Sequence, residues 1–387
     1  MMNIKPISMM VAMSLVGSTV SAASWVTLDA RSGGMAGLSV VTSNIDVAPF
    51  TNPAMLAAGK EDEDFGAIFA FGATVADPND FTGTLDVFND AYAAIPVSPL
   101  DPSFTTSITN ANTALGDLGG KGYQFDVGGG LASGFKMGEW AAAFSAIVTT
   151  ANDFGVGTAD GSAPTISFID GTTNASLKGI SVNSQDIGLS FARSFELNDD
   201  FDLAVGITPK MQTISIGEAD QPFDPLNPPT VDSLDLTFGT GQSTFNTDVG
   251  VVARYNKNVR FGLAVRNMIA QSYLSPLTNT TISIQPQMRA GVAYTNDFVT
   301  VGLDLDLAEN TAYVSGVKSK YMIIGTEFNA WNVAQLRLGY RTNSLDSNDV
   351  QTSLGLGLFD AVNIGAMTNP NNAAAGTSAY MSFGLKF

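Results

Sequence analysis

Residues Ser378 to Phe387 read SAYMSFGLKF, and the chain ends there. Side chains on a strand alternate between its two faces. Ala379, Met381, Phe383, Leu385 and Phe387 therefore share one face, and Tyr380, Ser382, Gly384 and Lys386 share the other. The last residues of a soluble domain usually fray, whereas here the final residue completes an apolar row. Two architectures use such a segment: a soluble sandwich, as an edge strand, and an outer-membrane barrel, as its closing strand. The rest of the chain discriminates between them.

The opening, MMNIKPISMMVAMSLVGSTVSAASW, carries one charge, Lys5, before Asp29. An apolar stretch from Ile7 to Val16 is followed by Val20-Ser21-Ala22, with small residues where a signal peptidase needs them. This reads as a cleaved secretory leader over 1–22, too short to anchor in a bilayer. The chain has no Cys, so it is neither lipidated at a cysteine nor stapled by disulfides. Mean hydropathy is +0.15, yet no long apolar run follows the leader and only 14% of residues are charged, against about 25% in soluble domains. With 39 glycines, this is the composition of a transmembrane barrel. The net charge of −18 becomes −19 once Lys5 is lost, which argues against direct nucleic-acid binding. Histidine is absent, which removes the usual general base and zinc ligand. No catalytic residue, metal site or cofactor is expected.

Alternating segments cover about 65–76, 122–136, 139–151, 183–196, 200–216, 244–257, 258–272, 283–296, 297–309, 318–330, 333–343, 349–359, 361–368 and 378–387. The count is fourteen, even as a bacterial barrel requires. The connections sort by parity. Those after even strands are short: MG, LND, NKN, ND, WN and FDA; those after odd strands are longer, up to the 45 residues of 77–121. Short periplasmic turns and long external loops alternate this way in outer-membrane barrels, and a sandwich has no reason to do so. The expected fold is an all-β transmembrane antiparallel barrel of about 14 strands, spanning 65–387.

The same parity assigns the inner face. In FVTVGLDLDL, Val299, Val301, Leu303, Leu305 and Leu307 oppose Thr300, Gly302, Asp304 and Asp306. Since the apolar set must meet lipid, the lumen receives Lys210, Asp248, Arg254, Arg260, Arg266, Arg289, Asp304, Asp306, Glu327, Arg337 and Arg341. Such charges either line a selective path or pair to hold the barrel shut. Arg193 falls on the outward parity, which requires a bulge or interfacial snorkelling. The insert 77–121 differs. Leu85, Phe88 and Tyr92, then Ile108, Ala111, Leu115 and Leu118, have helical spacing, interrupted by AAIPVSPLDPS. One or two helices over the barrel mouth are expected, acidic throughout until Lys121. The clustered glycines of DVGGGLASGF lie in a strand with no following Lys-Ser/Thr, so they suit close packing better than phosphate binding.

Before the first strand lies RSGGMAGLSVVTSNIDVAPFTNPAML. It is either a periplasmic tail or a plug, over 23–64, folded inside the barrel. The segment resembles the N-terminal hatch of FadL-type outer-membrane barrels, with Asn52, Pro53 and Ala54 matching their Asn-Pro-Ala motif. Further on, KYMIIGTEFNAWNVAQLRLGYRTN, SLGLGLF and the terminal strand resemble the TraF-type conjugal-transfer proteins, a group of the same barrels. A thioredoxin-like conjugation protein shares the TraF name, and a chain without Cys is not of that redox type. The resemblance implies a gated conduit for hydrophobic or small molecules, or a non-transporting scaffold of a conjugation or secretion apparatus. Expected partners are outer-membrane lipid, hydrophobic small molecules or apparatus components, and the barrel-assembly machinery. That machinery would read the outward row Met381, Phe383, Leu385 and Phe387. A barrel hydrolase is disfavoured by the missing histidine.

Overall fold

The computed structural model describes residues 20–22, 27–59, 63–158, 162–167, 172–224, 234–275, 281–311, 318–331, 333–359, 361–373 and 376–387. Apart from a three-residue strand, Val20–Ala22, the leader lies outside the described residues. Fourteen strands close the barrel, with the two-residue strand Thr237–Phe238 added to the long-loop end of the fifth: β1 Phe65–Ala76, β2 Gly122–Met137, β3 Trp140–Thr158, β4 Ala175–Asn198, β5 Phe201–Pro222, β6 Gln242–Tyr255 and β7 Val259–Arg266. They continue as β8 Gln287–Thr295, β9 Val299–Asp306, β10 Tyr321–Ala330, β11 Ala334–Asn343, β12 Asp346–Leu358, β13 Val362–Thr368 and β14 Thr377–Lys386. Each pairs antiparallel with its sequence neighbours, and β1 pairs with β14, Phe69 opposite Phe383 and Phe71 opposite Met381. The sheet is thus a closed fourteen-stranded meander with no free edge.

Burial alternates along the strands where they cross the apolar belt, as the lipid-facing reading requires. Phe69, Phe144, Phe191, Phe261, Leu336 and Leu354 are exposed, while Ala70, Ser145, Ser190, Arg260, Arg337 and Ser353 between them are buried. An apolar belt of this extent far exceeds the patches a soluble monomer exposes, so it must face hydrocarbon. Among the described residues no helix is long and apolar enough to cross a membrane; the apolar belt lies on the strands. Arg193 stands on the outer face without a bulge before it: Phe191 opposes Ile207 in the same register as Gly188 opposes Lys210. Its guanidinium covers Trp140 and Phe195, 4.7 Å from each ring centre, and pairs with Glu139 at 3.3 Å. Snorkelling therefore accounts for it.

At the short-turn end the ladder runs to the turns themselves, with Met137 opposite Trp140, Ala330 opposite Ala334 and Leu358 opposite Val362. At the other end β4 and β5 reach 24 and 22 residues, well beyond the roughly 9–11 that cross a bilayer. Two helices, α4 (Phe81–Ala93) and α5 (Phe104–Asp117), occupy the insert. Their Phe81, Phe88, Leu115 and Leu118 pack on Leu177 and Phe223 of this extension, a core separate from the lumen. Burial, with Asp224 nearby, raises the Tyr92 phenol above its ordinary value.

Candidate functional site

The lumen is filled by the chain's own N-terminal segment. From Leu28 to Gly59 every residue is buried, and three short helices punctuate the path: α1 Ala30–Gly34, α2 Ala48–Thr51 and α3 Met55–Ala58. Asp29 caps α1 by accepting from the Ser32 N–H at 2.8 Å. The helix lies against β12, β13 and β14; α3 lies across the lumen against β4 and β5.

Glycine in the wall makes this possible. Gly302, Gly325 and Gly339 are cross-strand neighbours on β9, β10 and β11, and the chain from Met35 to Leu38 lies on them. A Cβ at Gly339 would stand 2.4 Å from the Met35 carbonyl carbon. A second notch holds the Asn-Pro-Ala turn. Gly206 of β5 opposes Gly250 of β6; a Cβ at the first would meet Ala54 N at 2.4 Å, and at the second Asn52 Oδ1 at 1.8 Å. Asn52 closes the turn locally. Its amide donates to the Val40 carbonyl at 2.8 Å, and its Oδ1 accepts from the Ala54 N–H at 3.1 Å.

Most of the inward charges meet this plug. Arg31 holds Glu327 of β10 with two hydrogen bonds, 2.9 and 2.8 Å, and also donates to the Thr42 carbonyl. Arg337 reaches the same carboxylate at 2.6 Å and donates to Asn363 at 2.8 Å. Asp304 accepts from the Ser39 and Val40 N–H groups at 2.8 and 3.0 Å. Arg289 pairs with Asp306 at 2.7 Å and donates to the Gly37 carbonyl at 3.3 Å. Arg254 pairs with Asp202 at 2.8 Å and touches the Gly59 carbonyl, while Arg260 donates to that of Val41. Lys210 stands apart from the plug, between Asp186 at 2.9 Å and Asp248 at 3.0 Å. Charge-assisted bonds of this kind, in a site closed to water, hold geometry more strongly than surface pairs do.

Arg266 and Arg341 line a cavity of about 190 Å³ at the long-loop end. Its floor includes Leu28 of the plug. Ile147 and Val182 give it an apolar side, and Asp126, Asp153 and Asp349 are among its polar groups. The four residues of the terminal row are all on the outer surface. Phe387 stacks on Phe65 at 4.9 Å between ring centres, and its carbonyl accepts from the Phe65 N–H at 2.8 Å. On the inner face beside it, Lys386 reaches Glu63 at 3.9 Å. The glycine notches and the outer cavity were not singled out in the sequence. Their signal was a glycine at mid-strand on the inward parity, visible only once strands are put in register.

These features define a class: FadL-like transmembrane β-barrels whose lumen is occupied by an N-terminal hatch. The chain belongs to the family described as F plasmid transfer operon, TraF, protein, whose model matches residues 49–306. Among solved structures, the Ralstonia pickettii toluene transporter TbuX has 11% identity, a TM-score of 0.53 and coverage of 93% of this chain and 98% of its own. A Pseudomonas aeruginosa FadL homologue has 13% identity, a TM-score of 0.49 and the same coverages. No curated protein matches the sequence.

Proposed function

We propose that this protein is an outer-membrane conduit for small apolar or amphipathic molecules, gated by its hatch. The short-turn end would face the periplasm and the long loops the exterior. One observation carries the reading: a cavity at the external end rests on Leu28, and the buried segment 28–59 separates it from the other end. Passage through the lumen then requires displacement of the hatch. The acyl or aromatic part of a ligand would lie on Ile147, Val182 and Leu28. Nothing in this reading is catalytic. Outer-membrane lipid surrounds the belt, and the barrel-assembly machinery would recognise the row ending at Phe387.

A second reading has its own support. Ion pairs from Arg31, Arg337 and Arg289 make the closed state costly to leave, which suits a scaffold serving a plasmid-transfer or secretion apparatus. A disulfide lock separates the two. A Cβ at Gly291 would lie 3.0 Å from that of Val40, within about an ångström of disulfide spacing; it would also meet Asp304 Oδ1 at 2.2 Å, so the Asp304 side chain must turn aside, and the chain has no competing cysteine. In vesicles, the oxidised Val40→Cys/Gly291→Cys protein should lose small-molecule flux and regain it on reduction. Equal flux in both states rules out the hatch as the gate. No flux in wild type or in either state, with undiminished plasmid transfer, selects the scaffold.

A further inference from the structure

Among the described residues, no ion pair or hydrogen bond accounts for two polar groups of the outer cavity. Arg341 on β11 and Gln351 on β12 are direct cross-strand partners and both line the cavity. The Arg341 guanidinium lies 4.4 Å from the centre of the Tyr321 ring. It has no carboxylate partner among the described residues, unlike Arg31, Arg289 and Arg337, and its buried Nε has no acceptor. Gln351 is 4% exposed, and its Oε1 has no donor among the described residues. Buried polar atoms are nearly always paired, so two adjacent exceptions on side chains that line one cavity need an explanation. The nearest competitors are committed elsewhere. Asp349 accepts from the Tyr321 hydroxyl at 2.9 Å and the Asn343 amide at 3.1 Å. Asp186 is held by Lys210.

We propose that this pair is the recognition element for a small amphipathic monocarboxylate bearing a hydrogen-bond donor beside the carboxylate. The carboxylate would accept from Arg341, the neighbouring hydroxyl would donate to Gln351 Oε1, and the apolar part would reach Ile147, Val182 and Leu28. The topology supports such a span. Six steps around the sheet separate β3 from β11, and seven separate β4 from β11, so the apolar side faces the polar pair across the lumen. Other carboxylates of the lining, Asp126 and Asp153, disfavour a dianion. The inference rests on the cavity admitting small molecules, but it makes a narrower demand.

Binding to the purified, folded protein in detergent, measured by calorimetry, tests it with three probes. Mandelate carries both groups, phenylacetate lacks the hydroxyl, and benzyl alcohol lacks the carboxylate. Mandelate should bind about tenfold more tightly than either, since each missing partner strands a buried polar group. Arg341→Gln should erase the preference over benzyl alcohol, and Gln351→Leu the preference over phenylacetate. Heat-modifiable mobility on gels confirms that each variant is folded. Equal binding of all three probes by wild type, or no binding of any, overturns the assignment whatever the variants do. The conduit reading survives that result if the disulfide lock still controls flux, and falls with it if flux is absent.

Discussion

At the scale of single residues, Glu327 is the hinge of the charge network, because Arg31 from the hatch and Arg337 from the wall share its carboxylate. Removing Arg31 leaves Glu327 with Arg337. Removing Glu327 leaves two buried guanidinium groups facing each other, the case in which breaking a buried pair costs about 3–5 kcal/mol. Glu327→Gln should therefore destabilise the hatch more than Arg31→Met, and the double variant should cost less than the sum. Unfolding of the purified barrel and protease exposure of residues 27–59 both measure this. Equal costs for the two single variants remove Glu327 from that role. The inward positions of Glu327 and Arg337 follow from strand parity alone, so they were legible in the sequence; that of Arg31, in the hatch, was not. Nor were their partners. Arg31 and Glu327 are 296 positions apart, and only the path of the hatch brings them together. The same holds for Asn52-Pro53-Ala54, whose motif is local but whose seat, Gly206 and Gly250, is supplied by two distant strands.

At the scale of elements, all fourteen strands were readable because lipid imposes a strict period of two on the outer face. The ends were less so. The strand expected over 183–196 begins at Ala175, since the Ser- and Gly-containing extension beyond the belt has no lipid to enforce alternation. The strand expected over 258–272 stops at Arg266, where Asn267 turns into the left-handed region with φ 51°. That expected from 283 begins at Gln287, just after Pro286, which has no N–H to give to a ladder. The element most exposed to test is β14. The Phe387 ring stacks on Phe65, and its N–H and carbonyl complete the seam between β1 and β14. Phe387→Asp places a charge at the end of the outward row and removes the stack, while the backbone bonds remain available. It should lower the fraction of folded, heat-modifiable barrel severalfold, and Phe387→Tyr should restore it. Normal folding of the Asp variant shows that the terminal aromatic is incidental to assembly.

At the scale of the whole molecule, the hatch and the barrel are one folding problem. The wall has glycine where the hatch runs and charge where its backbone needs partners, so neither is satisfied alone. The protein should therefore fractionate with the outer membrane as a heat-modifiable barrel, and residues 27–59 should resist protease added at the short-turn end. The Asn52-Pro53 turn is the place to loosen it. Replacing both residues with glycine removes two hydrogen bonds of Asn52 and frees the backbone in the unlocked state, together costing about 1–3 kcal/mol of local stability. Cleavage within 27–59 should then become detectable while the barrel keeps its gel mobility. If the hatch is a gate, flux of small molecules rises with that exposure. If it is a structural filler of a scaffold, flux stays at background and only plasmid transfer or partner assembly changes. Rapid cleavage of the wild-type segment in an intact barrel would mean that it lies outside the lumen, and both readings of the hatch would fail together.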